Sequence, residues 1–208
     1  MGVFLGIGTG RCGTVSLAKL LDVQPGVVCT HENRPLLPWS FNWENEGHRE
    51  AFCIHVTRFK QQQANARLVG DVAFCWLPYL HEMFFAFPDL KVICLKRDQE
   101  ETIQSYMRKT EGRNHWMWHD GKKWKLDPVW DKCYPKYDAK TKEEAIGRYW
   151  DDYYRTVEGW ARCHPDQVRI FDMDVLNSEE GQDEIFGVLG LKEHVHILPC
   201  WFNVGRKK

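Results

Sequence analysis

The chain has 208 residues, a length that suits one domain burying about 70% of its unfolded surface in a single core. Twenty-eight Lys and Arg against 29 Asp and Glu leave a formal charge of −1. That excludes nucleic-acid binding through a general basic field, so any anion site must be local. No apolar run approaches the roughly 20 residues of a membrane span, and the eight cysteines form no C-x-x-C pair, so they read as free thiols of a reducing compartment. The first strand starts within a few residues of Met1, leaving no room for a signal peptide, and Gly6 stands where myristoylation wants Ser or Thr. A soluble cytoplasmic protein is expected.

Residues 4 to 17, FLGIGTGRCGTVSL, read as strand, loop and helix: apolar residues ending at Ile7, three glycines, then helical spacing from Thr14 to about Asp22. A glycine-rich loop opening a helix lets backbone N–H groups and the positive helix end approach an anion. Gly8 and Gly13 have the spacing of a Walker A loop, but Thr14 stands where the lysine belongs and Val15 where the magnesium-binding hydroxyl belongs. A conventional ATPase or GTPase is therefore disfavoured. Arg11 supplies the positive charge, and Thr14 and Ser16 the hydroxyls.

A second short strand, 27 to 30, delivers His31 and Glu32 to its C-terminal end, the edge of an open α/β sheet where ligands bind. Glu32 there is either a chemical group or a cap paired with Arg34. Residues 33 to 47 are rich in Pro, Trp and Asn and read as a loop over the site. A helix is expected from about His48 to Ala64, with Phe52, Val56 and Phe59 on one face. A third strand follows over 67 to 72, with Asp71 near its end, and an apolar helix runs from Trp76 to Phe87.

Residues 90 to 109 carry the second strong pattern. Lys91 to Leu95 is a buried strand, Asp98 and Glu101 form a helix-capping arrangement, and Thr102, Ser105 and Lys109 recur along one helix face. Arg97 leaves the strand at the ligand edge, eight residues before Ser105. Its planar fork suits a phosphate. The alternative is an Arg97 tied up in an ion pair and a Ser105 facing solvent.

Residues 110 to 140 break the periodicity and hold Trp116, Trp118, Trp124 and Trp130; between Arg113 and Lys142 there are eight Lys or Arg and four Asp or Glu. This reads as a basic lid or acceptor-binding insertion. His115 and His119 have i, i+4 spacing but lack a third ligand, so no metal is expected. A helix over about 141 to 163 buries Ala145, Tyr149, Tyr153 and Val157 as core. A fifth strand over 168 to 174 and a helix from Ser178 to Leu189, ended by Gly190, complete the alternation. Five strands alternating with helices give a single α/β domain with a parallel sheet covered on both faces.

GTGRCGTVSL at 8 to 17 resembles the 5′-phosphosulfate loop of the sulfotransferases, [PT]-x-[RK]-S-G-T-[ST]-x-L, with Cys12 in place of serine. Arg97 and Ser105 are similar to that family's 3′-phosphate signature, and THENR at 30 to 34 to the segment carrying a catalytic glutamate in the tyrosylprotein-type enzymes. The run from Phe171 to Leu191 is similar to a late family segment, with Val188 in place of a phenylalanine. Gly205-Arg206-Lys207 matches the family's late R-K-G only in composition, and reads as a frayed tail.

The resemblance implies a P-loop nucleotide-kinase-like fold with strand order 2-3-1-4-5. It also implies transfer of a sulfuryl group from 3′-phosphoadenosine 5′-phosphosulfate (PAPS, product PAP) to a hydroxyl or amine, without metal. Gly10, Arg11, Cys12, Gly13, Thr14, Val15 and Ser16 would hold the 5′ end, and Arg97 and Ser105 the 3′-phosphate. Glu32 would act as base, with His31 and Asp71 as other candidates; for Asp71, helix capping is the competing reading. The acceptor is a small molecule, a carbohydrate or a lipid headgroup. The rivals are a P-loop phosphotransferase and a nucleotide-binding protein without activity.

Overall fold

The computed structural model describes residues 2–200, so Gly205-Arg206-Lys207 lies outside the described residues. Strands β1 (Gly2–Ile7), β2 (Val27–His31), β3 (Leu68–Val72), β4 (Lys91–Lys96) and β5 (Val168–Asp172) form one parallel sheet in the order β2-β3-β1-β4-β5. The expected order is thus found. The inner strands are nearly continuous apolar runs because helices cover both their faces, whereas edge strand β5 exposes Arg169 and Asp172 beside buried Val168 and Phe171.

Helices α1 (Thr14–Asp22) and α6 (Glu179–Leu189) pack on one face around Phe4, Leu17, Leu20, Ile93, Leu95 and Phe186. Helices α2 (Glu46–Gln63), α3 (Leu80–Ala86), α4 (Gln99–Lys109) and α5 (Lys142–Cys163) cover the other, around Leu5, Ile7, Phe52, Phe59, Trp76 and Tyr149. Phe4 and Leu5 fall in different cores because successive strand residues point to opposite faces.

Two expected elements are corrected. The helix expected from Trp76 to Phe87 is a 3-10 turn, Phe74–Tyr79, followed by the short α3, because Pro78 has no N–H to give an α-helical ladder. Strand β5 ends at Asp172, and residues 173 to 174 begin a 3-10 turn over Met173–Asn177 that leads into α6. No helix among the described residues is long and apolar enough to cross a membrane. All eight cysteines are free, six of them buried.

Candidate active site

The glycine loop between β1 and α1 is shaped by its backbone. Gly10 and Gly13 have φ of +84° and +89°, and a Cβ on Gly10 would collide with the Tyr106 hydroxyl. Arg11, between them, also adopts a left-handed φ of +60°, which costs an ordinary residue about 1–2 kcal/mol. Two contacts hold it there: Arg97 Nη1 donates to the Arg11 carbonyl at 3.0 Å, and Arg11 Nε donates to Ser105 Oγ at 3.0 Å.

Beneath the loop lies a floor of tyrosines. Tyr106 and Tyr149 both donate to the Thr9 carbonyl, the latter at 3.0 Å. The Tyr153 hydroxyl accepts from the Gly8 N–H at 3.0 Å and donates to the Phe74 carbonyl at 3.0 Å, while Tyr154 donates to the Leu95 carbonyl at 2.9 Å. All four rings are buried. Tyr149 and Tyr153 were expected as core, and they are; that this core also bolts the loop in place was not legible, because nothing in a helical repeat says what its hydroxyls reach.

Above the loop, α1 begins without help. Asn45, Asp98, Thr141 and Ser178 each cap their helix with a side-chain oxygen, but Gly13 offers α1 none, and its first turn has no acidic residue. The positive end of α1 therefore keeps its attraction for an anion.

The opposite wall comes from the end of β2. Glu32 follows the last strand residue, His31, and its N–H donates to the Val72 carbonyl at 3.1 Å. Its φ is +50°; among the described residues, Arg11 and Glu32 are the non-glycine positions in the left-handed region. Asp71 is 1% exposed and anchors this turn: it accepts from Thr30 Oγ1 at 2.6 Å, from the Asn33 N–H at 3.2 Å and from Trp76 Nε1 at 2.8 Å. Both readings of Asp71 are corrected, since its oxygens are occupied by three donors and it caps no helix.

Burial, then the nearby Asp71 charge, pushes the Glu32 carboxyl up to about 7, against the pull of Arg34, Arg11 and Lys109. A carboxyl held near neutrality can give or take a proton at working pH. His31 moves the other way: burial lowers it, so it stays neutral, and its Nε2 lies 3.2 Å from Thr14 Oγ1. Its Nδ1 is 4.0 Å from Glu32 Oε2. His31 is thus tied to the first residue of α1, between loop and base.

Arg97 and Ser105 converge on the loop. Ser105 is buried and accepts from Arg11, not facing solvent, and Arg97 also pairs with Glu101 at 2.9 Å, as its alternative reading foresaw. Thr102 is spent on its own helix, donating to the Asp98 carbonyl at 2.7 Å. The Cys12 side chain is fully buried with its thiol pushed up to about 11, so it is a neutral core residue that leaves only its backbone for a ligand. Val15 is half-buried at the helix start, and Ser16 is buried.

The segment from 110 to 140 is partly core. Trp116 is fully buried against Tyr106 and Tyr134, while Trp118 is 80% exposed. His115 and His119 sit on irregular backbone and not on a helix; His115 pairs with Asp131 at 2.7 Å and His119 Nε2 with the Asn114 carbonyl at 2.9 Å. A cleft of about 350 Å³ opens beyond Ser105 on α4, lined by Met107, Glu111, Lys123, Trp124 and Lys142. Neither Glu32 nor Arg11 lines it.

A family model described as "sulfotransferase domain" matches residues 4–192. A sulfotransferase domain from the curacin biosynthetic pathway superposes with a TM-score of 0.65 at 13% identity, covering 97% of this chain and 78% of that one. A sulfotransferase from Alicyclobacillus acidocaldarius gives 0.53 at 17% identity, over 92% and 82% of the two chains. No curated protein sequence matches. The two structures share the fold, and the family match over nearly the whole sheet and its helices shows that the chain belongs to the sulfotransferase family.

Proposed function

We propose that the protein transfers a sulfuryl group from 3′-phosphoadenosine 5′-phosphosulfate to a hydroxyl or amine acceptor, with Glu32 as the base. The observation that carries this reading is the pairing of an uncapped, glycine-lined helix start with a half-buried carboxyl pushed up to about 7, both set by left-handed residues at one sheet edge.

The residues fit such a donor. Backbone N–H groups from Gly10 to Val15, with Arg11, Thr14 and Ser16, would hold the 5′-phosphosulfate; Arg97 and Ser105 would hold the 3′-phosphate, with Arg97 turning from Glu101. When bound, the donor supplies an activated sulfuryl group with a phosphate leaving group. Glu32 takes the acceptor's proton as the new O–S or N–S bond forms, and the guanidinium of Arg11 with the α1 terminus stabilises negative charge gathering on the departing oxygen. His31, neutral and bound to Thr14, keeps the base wall in register with the loop. Residues 110 to 140 act as a lid that excludes water, and their tryptophans favour a small-molecule, carbohydrate or lipid-headgroup acceptor. Eight free cysteines support a cytoplasmic setting.

The test is thermal unfolding with PAP beside ATP and magnesium. At about 100 times its dissociation constant PAP should raise Tm by about 5–10 °C. Arg11→Ala and Arg97→Ala should each remove most of that rise. Stabilisation by ATP with magnesium alone would overturn the reading in favour of a phosphotransferase.

A further inference from the structure

The segment that follows α6 builds a cluster that sulfuryl transfer does not use. Gln24 is buried, and its amide grips the backbone of Val195 in both directions, Nε2 donating to the carbonyl at 2.8 Å and Oε1 accepting from the N–H at 2.7 Å. Gln182, fully buried, grips Ile197 the same way, at 2.8 and 3.0 Å. Two side-chain amides thereby stand in for a neighbouring strand and fix alternate residues of the segment. The residues flanking Val195, His194 and His196, are presented together to Asp183 on α6.

Both His194 Nε2 and His196 Nε2 lie 2.8 Å from the same oxygen, Asp183 Oδ1, and the three ligand atoms all lie within 4.8 Å of one another. His194 is further oriented by Phe186, stacked at 4.5 Å, and by the Leu191 carbonyl, 3.3 Å from its Nδ1. A carbonyl can only accept, so Nδ1 carries a proton. In neutral imidazole, Nε2 is then a bare lone pair facing a carboxylate oxygen, an unfavourable contact that either a proton or a metal ion between the two reverses. An Nδ1–H donated to a carbonyl, with Nε2 free to ligate, is also the arrangement that fixes the tautomer of a metal-bound histidine.

We propose that Asp183, His194 and His196 bind a divalent transition-metal ion, zinc, with water completing its shell. Two imidazole nitrogens and one carboxylate suit zinc and not the all-oxygen preference of calcium or magnesium. Bond lengths of about 2.0–2.2 Å place tetrahedral ligand atoms about 3.3 Å apart, so the His–Asp contacts open by about half an ångström. Asp183, half-exposed, has the freedom to do so. The ion staples the segment to α6, and that segment runs on to Cys200, whose thiol reaches the Ser16 carbonyl of α1 at 3.7 Å. The ion thereby braces the chain that lies against the helix of the glycine loop.

Titration of EDTA-treated protein with Zn²⁺ alone tests this, with stoichiometry from calorimetry and Tm read in parallel. One equivalent should bind and raise Tm by about 5–10 °C at about 100 times its dissociation constant. His194→Gln with His196→Gln should lose that equivalent and the rise together, and Asp183→Asn, a change of one surface atom, should weaken both should the double variant fold poorly. Co²⁺ at the site should show the visible absorption of a four-coordinate ion. Zinc uptake unchanged in both variants would assign the metal to other histidines or the cysteines and overturn the proposal; so would the absence of an equivalent in the parent protein.

Discussion

The glycine loop and the Glu32 turn face each other across the ligand edge, and each presents one left-handed non-glycine residue, yet they are held by different means. The loop has four buried tyrosine hydroxyls at or beside its backbone and two contacts through Arg11, spread over α4, α5 and Arg97 at the end of β4. Beside one backbone bond from Glu32 to Val72, the side-chain hold on the Glu32 turn runs through one carboxylate, Asp71, which gathers Thr30, Asn33 and Trp76. A redundant network tolerates the loss of a member; a single anchor does not. The difference suits the proposed chemistry: a loop that is to hold charge needs a fixed cradle, while a carboxyl that is to serve as base needs a shifted proton affinity, which the nearby buried Asp71 helps set.

The largest expected effect breaks the base itself. Glu32→Gln should lower kcat by about 10²–10⁴ while leaving PAP binding within a few-fold, as measured by steady-state kinetics beside calorimetry. The pH dependence sharpens the point. Because the folded carboxyl is raised from 4.5 to about 7, the native state holds its proton more tightly than the unfolded chain, so Glu32 favours folding below about 4.5 and that contribution is lost as pH rises through about 7. Activity runs the opposite way: kcat/KM should rise with pH to a plateau above about 7, since the base acts ionised. Glu32→Gln should remove both dependences, and a profile with no inflection between 6 and 8 would sink the assignment.

Next comes the anchor. Asp71→Asn leaves a donor facing either the Trp76 N–H or the Asn33 N–H, at a cost of about 1–3 kcal/mol, or a fall in Tm of about 3–10 °C by calorimetry. Loss of the Asp71 charge should also lower the inflection of kcat/KM, because that charge helps to raise Glu32. A stability loss with an unmoved inflection would show that Asp71 positions without tuning.

The smallest effect tests redundancy. Tyr149→Phe removes one of two hydroxyls on the Thr9 carbonyl, so stability should fall by only about 0.5–1.5 kcal/mol and PAP affinity should stay within a few-fold. Tyr106→Phe with Tyr149→Phe should cost more than the sum of the single changes, since only then is a buried carbonyl left bare. Additive losses would mean that the tyrosine floor is packing alone.

Much of this site can be read along the chain. Gly10, Arg11 and Gly13 announce the loop because a turn that brings backbone N–H groups to an anion needs residues able to take positive φ, and those are few. Glu32 and Arg97 are placed by their position just past apolar strands, since parallel strands deliver their last residues to one edge. The failures are equally specific. Asp71 read as a chemical group because a carboxylate near a strand end looks the same in sequence whether its oxygens are free or filled. Tyr149 and Tyr153 gave a burial signal and no sign of what their hydroxyls bond, and nothing in the pattern singled out Tyr106 or Tyr154.

By itself, the sequence determined the alternation of strands and helices, the loop with its arginine, and the residues offered at the ligand edge, because these rest on local periodicity and on backbone freedoms written residue by residue. Only the tertiary structure decided that Asp71 is an anchor, that Ser105 braces Arg11, that four tyrosines floor the loop, and that Gln24 and Gln182 turn His194 and His196 toward Asp183. Each of these is a contact between residues far apart in the chain or a choice among hydrogen-bond partners. Such contacts are fixed when the layers close on the sheet.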